Sequence, residues 1–192
     1  MKKSLNLVAL LIAATLTLAA CGDSSSTGAG SSSGDHNEQD VAFASDMIPH
    51  HQQAIQMAKM AQAHAGSTEV KQLAGDIEAA QGPEINTMTG WLEAWGENAS
   101  SGSMSGMGNG GSMDGEMPGM MSNGDLEKLD HATGATFDQM WLRGMIAHHE
   151  GAVEMADTEI GQGQNSDAVA LAMEIKAAQT AEINTMKRML GS

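Results

Sequence analysis

The sequence has little cysteine and few aromatic residues. Its 192 residues include a single cysteine, Cys21, together with three tryptophans, two phenylalanines and no tyrosine. A lone cysteine excludes an internal disulfide and a metal cluster held by several thiolates. Because aromatic side chains are so few, methionine, leucine, isoleucine and alanine have to fill the core. The chain has 17 methionines, and the flexible thioether suits that task.

Basic residues are also scarce. Nine lysines and arginines stand against 24 aspartates and glutamates, which gives a formal charge of −15. This excess of negative charge argues against nucleic acids and anionic surfaces as partners, and it is compatible with attracting cations. Alternation of polar and apolar residues, the pattern of a β-strand, is also rare, so the sequence favours an all-α fold.

The N-terminus carries the features of an export signal. Two lysines precede an apolar run, Leu5–Ala20, which is shorter than an ordinary membrane span and typical of a secretory signal. The small residues before Cys21 resemble a bacterial lipobox, in which the cysteine carries lipid after cleavage; an ordinary signal with a chance cysteine is the alternative. We expect a signal peptide over residues 1–20 and a flexible Ser/Gly tether over 21–36. The protein would then be anchored to the outer face of the cytoplasmic membrane or lie in the periplasm or cell envelope.

An internal duplication organises the rest of the chain. Met47-Ile48-Pro49-His50-His51 recurs 98 positions later as Met145-Ile146-Ala147-His148-His149, and the run 84–88 recurs unchanged as 182–186. No gap is needed, so we infer two copies of a unit of a little over about fifty residues. Any functional site is therefore expected to consist of two copies of one half-site.

Each unit has the pattern of a helical hairpin. Apolar residues recur at helical spacing over 37–97 and again over 125–192. Gly66 and Ser67 mark the turn of the first hairpin, and Ser166 is a candidate cap after the turn of the second. The two hairpins can bury their apolar faces against each other, which predicts an all-α four-helix bundle.

Two features interrupt the helical pattern. Pro49 removes a backbone hydrogen bond inside the first helix, and we interpret it as a tolerated kink because its counterpart Ala147 fits an uninterrupted helix. Residues 98–124 are rich in Gly, Ser and Met without periodicity, so they are interpreted as a linker between the hairpins.

The candidate metal ligands lie on the inward faces of the helices. At about 100° per residue, His50 and His51 flank the centre of the apolar face with Met47 one turn earlier, and the second copy repeats this arrangement. Imidazole suits copper, zinc, iron and nickel, and thioether favours Cu(I). A structural His–Glu network copied by the duplication is the alternative. The predicted metal ligands are Met47, His50, His51, Met57, Met145, His148, His149 and Met155.

Carboxylates on the inward helix faces are also predicted to take part in the metal site. Glu84 and Glu182 interrupt the apolar faces of the second helices, which is costly unless they are paired or bound to metal. We expect such groups to orient the histidines or to act as further ligands. The full set in this role is Glu84, Met88, Glu182, Met186, Asp40 and Asp138.

The linker methionines form a separate candidate site. They have no core to fill, and flexible thioethers can wrap Cu(I) or Ag(I). Low-complexity drift in a methionine-rich protein is the alternative. The residues are Met104, Met107, Met113, Met117, Met120 and Met121.

The doubled Met-Ile-x-His-His motif, followed by Ala54 and Met57 in the first copy and by Met155 in the second, resembles the family called domain of unknown function 305. The resemblance covers about residues 40–95 and 137–190. It implies a ferritin-like four-helix fold and export, and in some members copper binding linked to copper tolerance. The histidines and methionines named as predicted metal ligands are the positions that match the family motif, and the methionine-rich linker is not part of that motif.

The leading hypothesis is a lipid-anchored exported protein that binds Cu(I) for buffering, tolerance or delivery, without turnover. Iron, zinc and manganese are the alternative metals. The expected partners are the metal ion, the membrane and no nucleic acid, with a copper-handling protein and a second copy of the chain as further candidates. A di-iron or di-manganese ferritin-like oxidase is one competing function, although the Glu-x-x-His motif of such sites is absent. A metal-free helical adaptor at the cell surface is the other.

Overall fold

The computed structural model describes residues 35–97 and 117–191. The predictions for the signal peptide, for lipidation of Cys21 and for Met104, Met107 and Met113 lie outside these residues. So does the prediction for most of the Ser/Gly tether.

Five α-helices make up the described residues: α1 Glu38–His64, α2 Thr68–Trp95, α3 Asn123–His131, α4 Gly134–Gln162 and α5 Ser166–Gly191. The most extensive contacts join α1 to α2 and α4 to α5, and α1 packs on α4 between the hairpins. These two ranges contain no β-strand, so the predicted all-α fold of two helical hairpins is confirmed. Within them, no helix combines the length and apolar character needed to cross a membrane.

The helix caps follow the duplication. Ser67 Oγ accepts a hydrogen bond from the backbone N–H of Val70 at the start of α2. At the equivalent position, Asn165 Oδ1 accepts from the N–H groups of Asp167 and Ala168 at the start of α5. The cap is therefore Asn165 rather than Ser166. The repeat has kept the capping position and changed the residue, since both serine and asparagine present a suitable oxygen there.

Proline does not end either helix of the first hairpin. α1 continues through Pro49, and α2 continues through Pro83. Proline removes one backbone hydrogen bond and crowds the preceding turn, so tertiary packing has to compensate. The interpretation of Pro49 as tolerated within the helix is confirmed.

The chain between the hairpins departs from the predicted linker at its C-terminal end. Ser122 caps α3 by accepting a hydrogen bond from Asp125 N–H, so the predicted linker end at residue 124 falls inside this helix. α3 forms because Leu126 and Leu129 bury against the core. Just before it, residues 117–121 lie against α1 and α4, and we call them the strap.

The core consists of two apolar clusters. The larger joins the C-terminal half of α1 to the N-terminal half of α4 and includes Met57, Phe137, Trp141, Met145 and Met186. The smaller joins the N-terminal half of α1 to the C-terminal half of α4 and includes Phe43, Met47, Met88, Ala156 and Ile175. This pairing of opposite halves requires α1 and α4 to run antiparallel. On both helices, the histidine pairs come between the residues of one cluster and those of the other.

Two aspartates tie each hairpin to the turn of the other. Asp138 on α4 accepts hydrogen bonds from the N–H groups of Gly66 and Ser67, at 3.0 and 2.9 Å. Asp40 on α1 accepts from Gln164 and Asn165, at 3.0 and 2.9 Å. The two sets are related by the repeat of 98 residues. We call Asp40 and Asp138 the loop clamps.

Candidate metal centre

The two histidine pairs meet where α1 packs on α4. The imidazole rings of His50 and His148 have their centroids 3.8 Å apart and are tilted by 39°. His51 and His149 flank them, and all four side chains are completely buried. The equivalent histidines of the two repeats are therefore brought into one cluster, which we call the histidine centre.

A glutamate lies behind each outer histidine. His51 Nε2 is 2.8 Å from Glu84 Oε2, and His149 Nε2 is 2.7 Å from Glu182 Oε2. A carboxylate oxygen accepts, so each imidazole donates from Nε2, and a ring in its neutral form keeps Nδ1 without a proton. The other ring nitrogen, Nδ1, then carries a lone pair. A carboxylate that fixes a histidine in this way is the usual arrangement behind a metal-binding imidazole.

The inner histidines differ from each other. His50 Nε2 donates to the backbone carbonyl of Pro118 in the strap, at 3.0 Å, which again leaves a lone pair on Nδ1. Neither ring nitrogen of His148 has a hydrogen-bond partner among the described residues. The strap thus makes a hydrogen bond to the ring of one inner histidine and none to the ring of the other.

Five buried imidazole nitrogens lack a hydrogen-bond partner within residues 35–97 and 117–191. They are Nδ1 of His50, His51, His148 and His149, together with Nε2 of His148. A buried polar atom without a partner is costly, and here such atoms are concentrated in one small cluster. Three of them bear lone pairs by the hydrogen-bond pattern just described. In the part of the chain that the structure describes, no group of three or more His, Cys, Asp or Glu side chains is arranged to hold a metal ion as it stands. What the histidine centre supplies is a set of nitrogen donors of the type that copper, zinc, iron and nickel accept.

Burial keeps the inner imidazoles neutral. Desolvation lowers the pKa of His50 to about 3, although its hydrogen bond to Pro118 acts in the opposite direction. Desolvation, followed by the neighbouring His50, lowers the pKa of His148 well below its ordinary value. Both rings are therefore uncharged at neutral pH, which is the form that binds metal.

The predicted methionines divide into near and distant groups. Met47 and Met145 are completely buried and lie one helical turn before the histidine pairs. Met57 is also completely buried, but seven residues separate it from His50, about 10 Å along the helix axis. The half-buried Met155 stands at the equivalent distance.

Met88 and Met186, one turn beyond the glutamates, pack in the two apolar clusters.

The structure places Asp40 and Asp138 away from the histidine centre. Each precedes the first histidine of its repeat by ten residues, about 15 Å along the helix. Their carboxylates bind the backbone N–H groups of the opposite turn. A helical-wheel argument correctly puts them on the inward face, but it ignores the distance along the axis. Their role is to clamp the loops rather than to hold a metal or to orient a histidine.

Several residues that matter here escape the search for repeated motifs. Gln53 pairs with the backbone of the strap, and Gly151, its counterpart in the second repeat, lies under Pro118. Glu159 is a completely buried acid where the first repeat has Ala61. Each of these residues differs from its counterpart in the other repeat. A search for positions that are identical in the two copies therefore does not find them.

A family model described as "Domain of unknown function (DUF305)" matches residues 40–190. The chain belongs to the DUF305 family. Solved structures agree with this assignment. A DUF305 fragment from Deinococcus radiodurans is 29% identical, with a TM-score of 0.71, and the match covers 82% of this chain and 99% of that one. A DUF305 protein from Streptomyces coelicolor, described as secreted, is 29% identical with a TM-score of 0.70 over 80% of this chain and 92% of its own.

A third structural neighbour carries metal. CopM in its Cu(II)-bound form is 35% identical to this DUF305 chain, with a TM-score of 0.65 over 79% of this chain and 95% of CopM. CopM has also been solved in Cu(I)-bound, Ag-bound and apo forms. Comparison with functionally curated proteins gave no match.

Proposed function

We propose that this DUF305 protein is an exported copper-binding protein that holds Cu(I) at the histidine centre and buffers or relays the ion in the cell envelope. The observation that carries the proposal is the cluster of four buried imidazoles whose Nδ1 atoms have no partner. A core histidine retained for packing alone would normally satisfy its polar atoms.

The expected ligands are the four histidines together with the nearest methionines. His50, His51 and His149 offer Nδ1 lone pairs, and His148 offers either nitrogen. Met47 and Met145 add one buried thioether from each repeat, and thioether favours Cu(I) over harder ions. Glu84 and Glu182 act as the carboxylates behind His51 and His149, where they raise the basicity of the rings.

The contact between His50 and His148 favours one shared centre over two separate sites. Ring centroids 3.8 Å apart place the inner histidines of both repeats side by side, which supports one ion shared between them. The bound forms of CopM support copper and silver as the class of ion. Iron, zinc and manganese remain the competing metals for the same nitrogen donors.

The experiment is an anaerobic Cu(I) titration of the chain that begins after Cys21, against a chromophoric competing chelator. The variant His50→Ala/His148→Ala should lose tight binding. The matched control is His64→Ala/His131→Ala, which removes two histidines that lie outside the centre and should leave the affinity unchanged. Equal binding by the wild type and the first variant would reject the assignment.

The linker methionines are tested in the same titration. Replacing Met104, Met107 and Met113 by serine leaves the histidine centre and the strap intact. If these residues form an accessory soft-metal site with Met117, Met120 and Met121, the variant should bind fewer Cu(I) ions without weakening the tightest one. An unchanged stoichiometry would reject the accessory site.

We also propose that Cys21 is lipidated and anchors the protein. The support is the lipobox-like sequence before Cys21, and the Streptomyces neighbour is described as secreted. In the host, Cys21→Ser should move the protein from the membrane fraction to the soluble fraction. Mass spectrometry of the mature N-terminus should show a diacylglyceryl group on the wild type, and an unmodified cysteine would reject the anchor.

A further inference from the structure

The strap is fixed to α1 by side chains of two residues. Gln53 makes a double hydrogen bond with the backbone of Met121: its Oε1 accepts from the N–H at 2.7 Å, and its Nε2 donates to the carbonyl at 2.9 Å. His50 donates to the carbonyl of Pro118 at 3.0 Å. The strap is not helical, so its backbone groups depend on such contacts.

Three glycines make the room that the strap occupies. A Cβ on Gly151 would lie 1.9 Å from the Pro118 carbonyl oxygen, and one on Gly144 would lie 2.2 Å from Met121 Cε. Within the strap, Gly119 has a φ of +77°, and a Cβ there would lie 2.4 Å from the backbone oxygen of Ala147. At Gly151 and Gly119 an added Cβ would meet backbone atoms, so any other residue there has to displace the strap or α4, whereas at Gly144 the Met121 side chain would have to move.

The two glycines on α4 are specific to the second repeat. The first repeat has Asp46 where the second has Gly144, and Gln53 where the second has Gly151. One side of the α1–α4 interface has therefore lost its side chains where the strap runs, and the other carries the glutamine that holds it. The duplicated helices have diverged to fit this one segment.

The strap is a thin cover over the histidine centre. Pro118 is exposed to solvent, while its carbonyl oxygen contacts the completely buried His50. Gly119 lies against the backbone of His148. A single non-helical segment, which turns at residues 118–119, thus lies between the solvent and both inner histidines on this side. Displacing it breaks the three hydrogen bonds described above and removes Met121 from the edge of the larger apolar cluster, whereas an opening between helices would disrupt the apolar clusters themselves.

We propose that the strap is the gate of the histidine centre, and that Gln53 and Gly151 are the positioning residues that seat it. In the closed state the Pro118 carbonyl keeps the proton on Nε2 of His50 and turns the Nδ1 lone pair inward. Lifting the strap opens the path by which a metal ion enters and leaves. This inference rests on the proposed function, since it assumes that the histidine centre binds metal.

The test compares Gln53→Ala and Gly151→Ala with the wild type and with Gly161→Ala. Gly161 is a matched control because it lies on the same helix and an added Cβ would meet nothing within 4 Å. The first measurement uses the metal-free chain that begins after Cys21. The ¹⁵N shifts of the His50 imidazole report its tautomer, and hydrogen exchange reports the protection of the Met121 amide.

The second measurement is stopped-flow exchange of Cu(I) with a chromophoric chelator. In Gln53→Ala and Gly151→Ala, we expect loss of the single Nε2–H tautomer of His50 and faster exchange at Met121. Uptake and release of Cu(I) should both accelerate by about tenfold, as expected when one or two hydrogen bonds of a closed state are lost. The equilibrium affinity should change much less than either rate, and Gly161→Ala should behave as the wild type.

Two results would overturn the gate while leaving the metal site in place. One is an opened strap, seen by NMR in both variants, with unchanged rates of Cu(I) exchange. The other is a loss of affinity caused by faster release alone, which would make the strap part of the site rather than its gate. A wild type that takes up no Cu(I) would overturn the proposed function and the gate with it. The milder Gln53→Ala keeps the test available if Gly151→Ala does not fold.

Discussion

The two repeats hold their outer histidines in the same way and their inner histidines in different ways. His51 and His149 each donate to a glutamate at almost the same distance, 2.8 and 2.7 Å. In contrast, His50 donates to the strap while both nitrogens of His148 lack a partner among the described residues. A duplication copies the helices and everything on them, but it leaves only one segment between the copies. The centre therefore has two sets of potential ligands and a single strap.

A second difference separates the two apolar clusters. The larger contains Trp141, whose indole donates to the Met57 carbonyl at 2.9 Å, and it also contains Ala61. The smaller has Phe43 in place of Trp141 and Glu159 in place of Ala61. Burial, followed by the neighbouring Asp40, raises the pKa of Glu159 from 4.5 to about 8. One half of the bundle therefore carries a buried titratable acid at the position where the other half has alanine.

The largest expected effect comes from breaking the inner pair one histidine at a time. We expect His50→Ala and His148→Ala each to weaken Cu(I) binding by about 100-fold or more, since even loss of the group behind a metal-binding histidine costs about 10–100-fold. If the centre is shared, the double variant should lose little beyond either single one. Competition titration measures both numbers. Two independent sites would instead show half the stoichiometry in each single variant with the remaining site unaffected.

The next expected effect is on the free energy of unfolding, and it comes from Glu159. Because folding raises the pKa of Glu159, the folded state keeps a proton that the unfolded chain releases. The associated stability is complete below about pH 4.5 and is lost as the pH rises toward 8. Between pH 5 and 9 the wild type should lose about 4 kcal/mol more free energy of unfolding than Glu159→Gln. Urea denaturation across this range measures the difference.

The control for this prediction is Glu154→Gln, which neutralises an exposed acid on the same helix. It should follow the pH dependence of the wild type. Parallel curves for the wild type and Glu159→Gln would contradict the assignment of the titration to Glu159.

The loop clamps allow the two repeats to be compared directly, because each makes equivalent hydrogen bonds to the turn of the other hairpin. Asp138→Asn should cost about 2 kcal/mol in the free energy of unfolding, since hydrogen bonds to a charged group contribute about 1.5–3 kcal/mol. Asp40→Asn should cost a similar amount, although its neighbour Glu159 is present only on that side. Denaturation at pH 6, with circular dichroism as the signal, compares the two. Neither change should alter Cu(I) affinity, and a weakened affinity would return these residues to the metal site.

The smallest expected effect concerns the hydrogen bond between each outer histidine and its glutamate, which both repeats share. Glu84→Gln and Glu182→Gln should each weaken Cu(I) binding by about tenfold, because an amide orients the histidine less well than a carboxylate. The two losses should agree within about a factor of three, given the matching distances. Unequal losses would show that the repeats contribute differently to the centre, despite their common geometry.

The sequence was sufficient to predict the parts that repeat. Helical spacing and the displacement of 98 residues predicted two hairpins, and the inward positions of His50, His51 and Glu84 followed from the helix period. The strap could not be predicted in this way, because residues 117–121 have no periodicity and their partners, Gln53 and Gly151, lie far away in the sequence. Asp40 was placed with the histidines because a helical wheel gives the face of a residue but not its height.

The reciprocal arrangement of the loop clamps has a consequence for the origin of the fold. Asp40 of the first hairpin binds the turn of the second, Asp138 of the second binds the turn of the first, and His50 meets His148. Contacts in which residue i meets j and j meets i define the interface of a twofold homodimer. The protein thus has the internal geometry of two equivalent subunits that a connecting segment has joined into one chain. In a homodimer of this kind, one hairpin supplies half of the residues of the pocket, and an identical partner hairpin supplies the other half.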